Sequence, residues 1–205
     1  MFEITILNAT IFGLSFCALY YFLVSAYKRR LVPIHWRKLF FYITLFSLFG
    51  IAGEVFVNNL WEYFFGWPLW EYRLFAAHGG DISYFFPLIW GALGFYKYIN
   101  DTVFHRFDNN QHILPGVIMG AEAVFLEILY NGSFLLLFDE YIFYYLPENM
   151  GPLSHLSCWQ VIPFYFMVGF VVNELVIGQN KAGYRFRVLL RCAFYWMAIG
   201  AIILF

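Results

Sequence analysis

Glu54-Val55-Phe56-Val57-Asn58, followed by Glu71-Tyr72 and Gly80-Asp81-Ile82-Ser83, has a second version in Glu127-Ile128-Leu129-Tyr130-Asn131, Glu140-Tyr141 and Gly151-Pro152-Leu153-Ser154. Each version sets a carboxylate one helical turn before an Asn, then a Glu-Tyr pair, then G-x-x-S ahead of a new apolar run. A charged acid at the centre of a membrane helix costs about 2.5–3.5 kcal/mol on insertion scales. Two such acids at matching points of two matching units predict a shared site. The match also divides the chain into two hairpin units, approximately 39–99 and 113–178.

The surrounding composition fixes the class. Of 205 residues, 62% are hydrophobic and only 12% charged. A soluble domain is nearer a quarter charged, so the balance predicts an integral membrane protein. A net charge of -1 excludes a generally basic nucleic-acid binder. Cys17, Cys158 and Cys192 show neither C-x-x-C nor metal-type spacing and read as small apolar residues within helices. The first apolar run lacks a basic n-region and ends in Lys28-Arg29-Arg30, so it reads as a retained helix and not as a signal peptide.

About 20 apolar residues span the hydrocarbon as a helix. Six runs qualify, 4–27, 39–60, 82–99, 113–138, 153–178 and 188–205, and they are apolar all round. The predicted fold is all-α: one integral membrane domain over 1–205, a polytopic bundle of about six transmembrane helices with a parallel internal hairpin repeat. Pro87 and Pro163 fall inside the third and fifth runs, where proline tends to kink a helix. Lys28, Arg29, Arg30, Arg37 and Lys38 flank the first connection, Lys97 and Arg106 the third, and Lys181, Arg185, Arg187 and Arg191 the fifth. Arg73 is the one basic residue in an even-numbered loop, so the odd loops are expected in the cytoplasm and both termini outside. Trp61, Trp67 and Trp70 then read as an interfacial aromatic belt or as the wall of an outer vestibule.

Within this frame Glu54 and Glu127 lie roughly 22 and 21 Å from the starts of their helices, in the outer half of the bilayer. Asn58 and Asn131 follow at i+4 on the same faces, so all four side chains are expected to converge on one polar cluster. Glu122, about 140° around the helix from Glu127, is a further candidate that faces another neighbour. The structural alternative is that these groups only join helices, through bonds worth about 0.6 kcal/mol each. Glu174 is expected to form a surface ion pair with Lys181 or Arg185. Ser83 and Ser154 are expected to cap the inward-running helices, with the helix starts as anion sites in the rival reading. His78 and His155, with Glu71 and Glu140, fit no metal-binding pattern, so neither metal nor cofactor is expected.

Phe46-Ser47-Leu48-Phe49-Gly50-Ile51-Ala52-Gly53-Glu54, Trp70-Glu71-Tyr72, Ile82-Ser83 and Pro87-Leu88-Ile89-Trp90-Gly91 resemble segments of the bacterial ABC-transporter-type permease family of small multi-helix proteins. Ala52 stands where that family has Trp, and the second unit departs further, with Asp139-Glu140-Tyr141 and Trp159-Gln160. The resemblance covers about 40–170 and implies a bacterial inner-membrane protein. There is no Walker A motif, so ATP hydrolysis would need a partner chain.

Three functions fit these residues. The first is a transporter or permease component whose carboxylates bind an ion, protons or a small solute. The second is a membrane enzyme using the buried acids on a lipid or isoprenoid, without any recognised catalytic motif. The third is an assembly subunit held to a partner protein or a second copy. The bilayer is the one partner common to all three.

Overall fold

The computed structural model of the chain describes residues 4–104, 113–149 and 155–181, with side chains to 176 in the last stretch. Its helices are α1 (Ile6–Tyr27), α2 (Trp36–Phe65), α3 (Phe86–Val103), α4 (Leu114–Phe138) and α5 (Ile162–Lys181). Short strands occupy the two long connections: β1 (Trp70–Tyr72), β2 (Ala76–Ala77) and β3 (Ile82–Ser83) between α2 and α3, and β4 (Phe143–Tyr145) between α4 and α5. The expected span at 188–205 lies outside the described residues.

Among the described residues four helices are long and apolar enough to cross a membrane: α1, α2, α4 and the stretch Trp159–Val176 that includes most of α5. α3 is not one of them. The expected run at 82–99 starts later, at Phe86, and extends to Val103, so it takes in the paired charges Lys97 and Asp101. Lys97 is therefore no loop residue. It is buried, bonded to Asp101, and Tyr42 Oη donates to the same carboxylate at 2.5 Å. Arg106, its expected companion, lies outside the described residues.

The exterior is of the membrane type. Leu7, Ile11, Leu14, Leu19, Phe22 and Leu23 of α1 are each more than half exposed, a continuous apolar face that water would not favour. The interior packs α2 on α3 and α4 on α5, with α1 laid on α3. Close approach is permitted by small residues: a Cβ on Gly94 would sit 2.7 Å from the Tyr42 carbonyl oxygen, and one on Gly116 2.8 Å from that of Phe166. The prolines do not kink these helices. Pro87 and Pro163 each occupy the second helical position, where the missing N–H has no intrahelical partner to lose.

The strands fold the two connections together. β1 pairs antiparallel with β4 in the register Trp70↔Tyr145, Glu71↔Tyr144, Tyr72↔Phe143. Flanking bonds cross in both directions, from Arg73 N to Ile142 O at 2.9 Å and from Leu146 N to Leu69 O at 3.4 Å. Shifting each residue of one bond by 73 positions gives its counterpart in the other. α2 and α4 end the same way at this offset, in left-handed caps at Gly66 (φ 84°) and Asp139 (φ 59°).

Candidate functional site

Asn58 and Asn131 hold the ribbon in place. The Asn58 amide oxygen accepts from Leu69 N (2.7 Å) and Trp70 N (3.2 Å), while its nitrogen donates to Trp70 O (3.1 Å) and Asp81 Oδ1 (2.6 Å). Asn131 accepts from Ile142 N (2.9 Å) and donates to Phe143 O (2.8 Å), again 73 residues on. The expectation that both amides join the carboxylates in one polar cluster is therefore corrected. An amide carries an acceptor oxygen and an NH2 donor, and here they are spent on the backbone of its own connection and, for Asn58, on the Asp81 carboxylate as well.

With the ribbon clamped, a tyrosine from each strand reaches the carboxylate 18 residues before it. Tyr72 Oη donates to Glu54 Oε1, and Tyr145 Oη to Glu127 Oε1 at 2.9 Å. Burial first, and the neighbouring carboxylate second, push both hydroxyls well above the ordinary tyrosine range, so they remain protonated donors. The tyrosine shared by the two connections is thus Tyr72 with Tyr145. The Glu140-Tyr141 pair matched to Glu71-Tyr72 in the sequence is a coincidence of composition: Glu140 is exposed, while Glu71 pairs with Arg73 at 2.9 Å on the surface.

Long-range donors complete the two acids differently. Trp90 Nε1 of α3 donates to Glu54 Oε1 at 2.7 Å, while Glu54 Oε2 is buried without a hydrogen-bond partner. Glu127 receives Tyr165 Oη on Oε1 and Ser157 Oγ on Oε2, both at 2.5 Å. Gly50 and Gly53, one turn and one residue before Glu54, make room for the rings beside it. A Cβ on Gly50 would strike the Trp90 indole at 2.3 Å, and one on Gly53 the Phe164 ring at 2.5 Å.

Both acids line one cavity between the two hairpins, closed on its α1 side by Phe16, Cys17 and Tyr20. It offers about 100 Å³ to the centre of a water-sized sphere, and its empty space totals about 910 Å³ with the open mouth included. One water needs only roughly 10–15 Å³ on the first measure, so several waters or a slim chain fit. Most of the wall is ring and hydrocarbon: Trp70, Trp90, Leu93, Phe95, Phe143 and Phe164 among others.

The other candidates lie elsewhere. Glu122 is half-buried, does not line the cavity, and sits within electrostatic range of Lys97. Ser83 does not cap a helix: it lies in β3, where its Oγ donates to Leu74 O (2.5 Å) and accepts from Phe85 N (3.0 Å). Ser154, and the side chains of Lys181 and Arg185 expected beside Glu174, lie outside the described residues. Trp61 and Trp67 both donate to Asn149 Oδ1, at 2.8 and 3.1 Å, tying the end of α2 to the α4–α5 connection. Trp70 is part of the cavity wall. His155 bonds Tyr145 O at 2.7 Å, and His78 is exposed. Among the described residues no three His, Cys, Asp or Glu side chains form a metal-holding group.

Four apolar helices, an apolar exterior and a carboxylate-lined internal cavity are the features of a helical membrane protein. No family model matches the chain, and no curated protein or solved structure is detectably similar to it.

Proposed function

We propose that this chain is a multi-pass membrane enzyme that takes an apolar molecule of the lipid or isoprenoid class and moves protons to and from it with Glu54 and Glu127. The observation that carries this is the placing of both carboxyl groups in one cavity whose remaining wall is largely aromatic and aliphatic. A small polar solute would find few partners there, whereas a hydrocarbon ligand matches the wall and meets acid groups at one place. One carboxyl group in its acid form breaks its O–H bond and delivers the proton to one carbon of a C=C bond. That leaves the other alkene carbon positive, and the second group, as carboxylate, takes a proton from the carbon on the far side of this centre, so that the double bond re-forms one position along. One proton is gained and one lost, so the step is an isomerisation that needs no co-reactant.

The test is incubation of membranes holding the protein, or its Glu54→Gln/Glu127→Gln variant, with unsaturated lipids in D2O. Deuterium on ligand carbon and a displaced double bond are expected only for the unaltered protein. Identical lipid spectra from both would overturn the proposal.

One observation favours transport as a second reading. The cross-strand register and the caps, clamps and tyrosines recurring at an offset of 73 support parallel hairpin repeats, about an axis along the membrane normal, as found in transporters. In that reading the chain has six spans in a bacterial inner membrane, odd loops cytoplasmic, and belongs with the permease-type family that its Trp70-Glu71-Tyr72 and Trp90-Gly91 segments resemble. It requires proton-dependent solute flux into vesicles, lost in the same double variant, with the lipids unchanged.

A further inference from the structure

The chemistry of the wall narrows the ligand. Five buried donors surround the two acids, the hydroxyls of Tyr72, Tyr145, Tyr165 and Ser157 and the indole N–H of Trp90, and each points at a carboxylate oxygen. What they leave at that point is acceptor capacity. Glu54 Oε2 has no partner at all although its residue is only 5% exposed, and Glu127 Oε2, which accepts from Ser157 alone, retains a lone pair. A buried polar atom left unsatisfied calls for a partner. No lysine, arginine or histidine is among the lining residues; Cys17, Tyr20, Tyr96 and Tyr130 add one thiol and three further hydroxyls to the wall. Aromatic rings line the site, with Trp90 and Tyr165 centred 5.8 Å apart and Trp90 and Phe164 5.9 Å, and the face of such a ring is electron-rich. Acids without basic neighbours, beside ring faces, form a site for positive charge. Beside Glu54 and Glu127 a phosphate or carboxylate headgroup would meet like charge and find the five donors there already engaged.

We propose that the group bound between Glu54 and Glu127 is a cation on an apolar body, either a lipophilic amine or a carbon centre made positive by proton transfer, an inference that rests on the apolar-ligand reading above. The ring-lined wall and the carboxylate pair hold the charge.

Three probes of equal heavy-atom count test this on the full chain in nanodiscs: N,N-dimethyldodecylamine, its uncharged branched-alkane isostere, and tridecanoate, the carboxylate of the same length. Binding is read by equilibrium dialysis against empty nanodiscs. The amine should bind at least about tenfold tighter than the alkane, with tridecanoate weakest, and Glu127→Gln should remove most of that preference. If Glu127→Gln fails to fold, the amine-to-alkane ratio on the unaltered protein decides. Equal binding of amine and alkane overturns the cation inference and leaves the apolar-ligand reading standing. No binding of either above empty nanodiscs overturns that reading itself. The two sources of charge separate on extraction of the protein from native membranes: a bound nitrogen-containing lipophile identifies an amine, and deuterium on lipid carbon after D2O incubation identifies a carbocation. Recovery of neither overturns the inference.

Discussion

Glu54 and Glu127 are held by the same framework and finished differently. In both hairpins an Asn one turn further on clamps the backbone of the connection, and a tyrosine 18 residues later returns to the carboxylate. Beyond that the two diverge. Glu54 receives both of its donors on one oxygen and keeps the other buried and bare, while Glu127 is partly accessible and takes three hydroxyls across both oxygens. The shared part builds the ribbon, and the unshared part gives the two acids different surroundings. A structural pair would have no reason to leave one oxygen unsatisfied, since an unpaired buried polar atom costs about 1–3 kcal/mol.

The comparison breaks first at the clamps. Asn58→Ala strips partners from two backbone N–H groups and one carbonyl, and Asn131→Ala from one of each. Losses of about 2–4 kcal/mol are expected, larger for Asn58, each orphaned group contributing about 1–3 kcal/mol before relaxation. Unfolding of purified protein in denaturant checks the order; equal and small losses would mean the ribbon is not held by these amides.

The acids themselves come next. In Glu127→Gln an amide NH2 meets hydroxyl donors on whichever oxygen it replaces, and a loss of about 1–3 kcal/mol is expected. In Glu54→Gln the amide nitrogen can take the place of the bare Oε2, so the loss should stay below about 1 kcal/mol. Activity or ligand binding should fall in both. A Glu54→Gln protein less stable than Glu127→Gln would reverse the comparison.

The tyrosines separate by a smaller margin. Tyr72→Phe leaves Glu54 with Trp90 alone, whereas Tyr145→Phe leaves Glu127 with Tyr165 and Ser157. Expected losses are about 1.5–3 and about 0.5–1.5 kcal/mol respectively, measured by the same unfolding experiment. The smallest effect belongs to the surface pair: Arg73→Ala removes an exposed contact with Glu71 and should change stability by about 0–1 kcal/mol.

Much of this framework was legible in the chain because it is local. The Glu–Asn spacing needs only one helical turn, and the α4 span expected at 113–138 is found at Leu114–Phe138. Counting on from Asn58 and Asn131 by a constant offset of 73 also leads from Tyr72 to Tyr145, a signal that the more conspicuous Glu-Tyr dipeptides concealed. The asymmetry was not legible. Trp90, Ser157 and Tyr165 reach the acids from 30 to 38 residues away, at positions fixed by helix packing and by Gly50 and Gly53 and not by any spacing in the sequence. The strands escaped notice for a related reason. Two or three residues carry no readable alternation, and β1 exists only because β4, from a distant connection, pairs with it. Asn58 and Asn131 follow the acids by one turn on α2 and α4, but their amides turn to the connections, whose backbone offers both a donor and an acceptor within reach.

The most direct measurement is native mass spectrometry of the purified protein with Glu54→Gln, Glu127→Gln and the double variant alongside. One site served by two acids predicts a bound apolar molecule on the unaltered protein that either single substitution depletes and the double variant lacks. The same molecule retained at unaltered occupancy in folded single and double variants would contradict a shared carboxylate site.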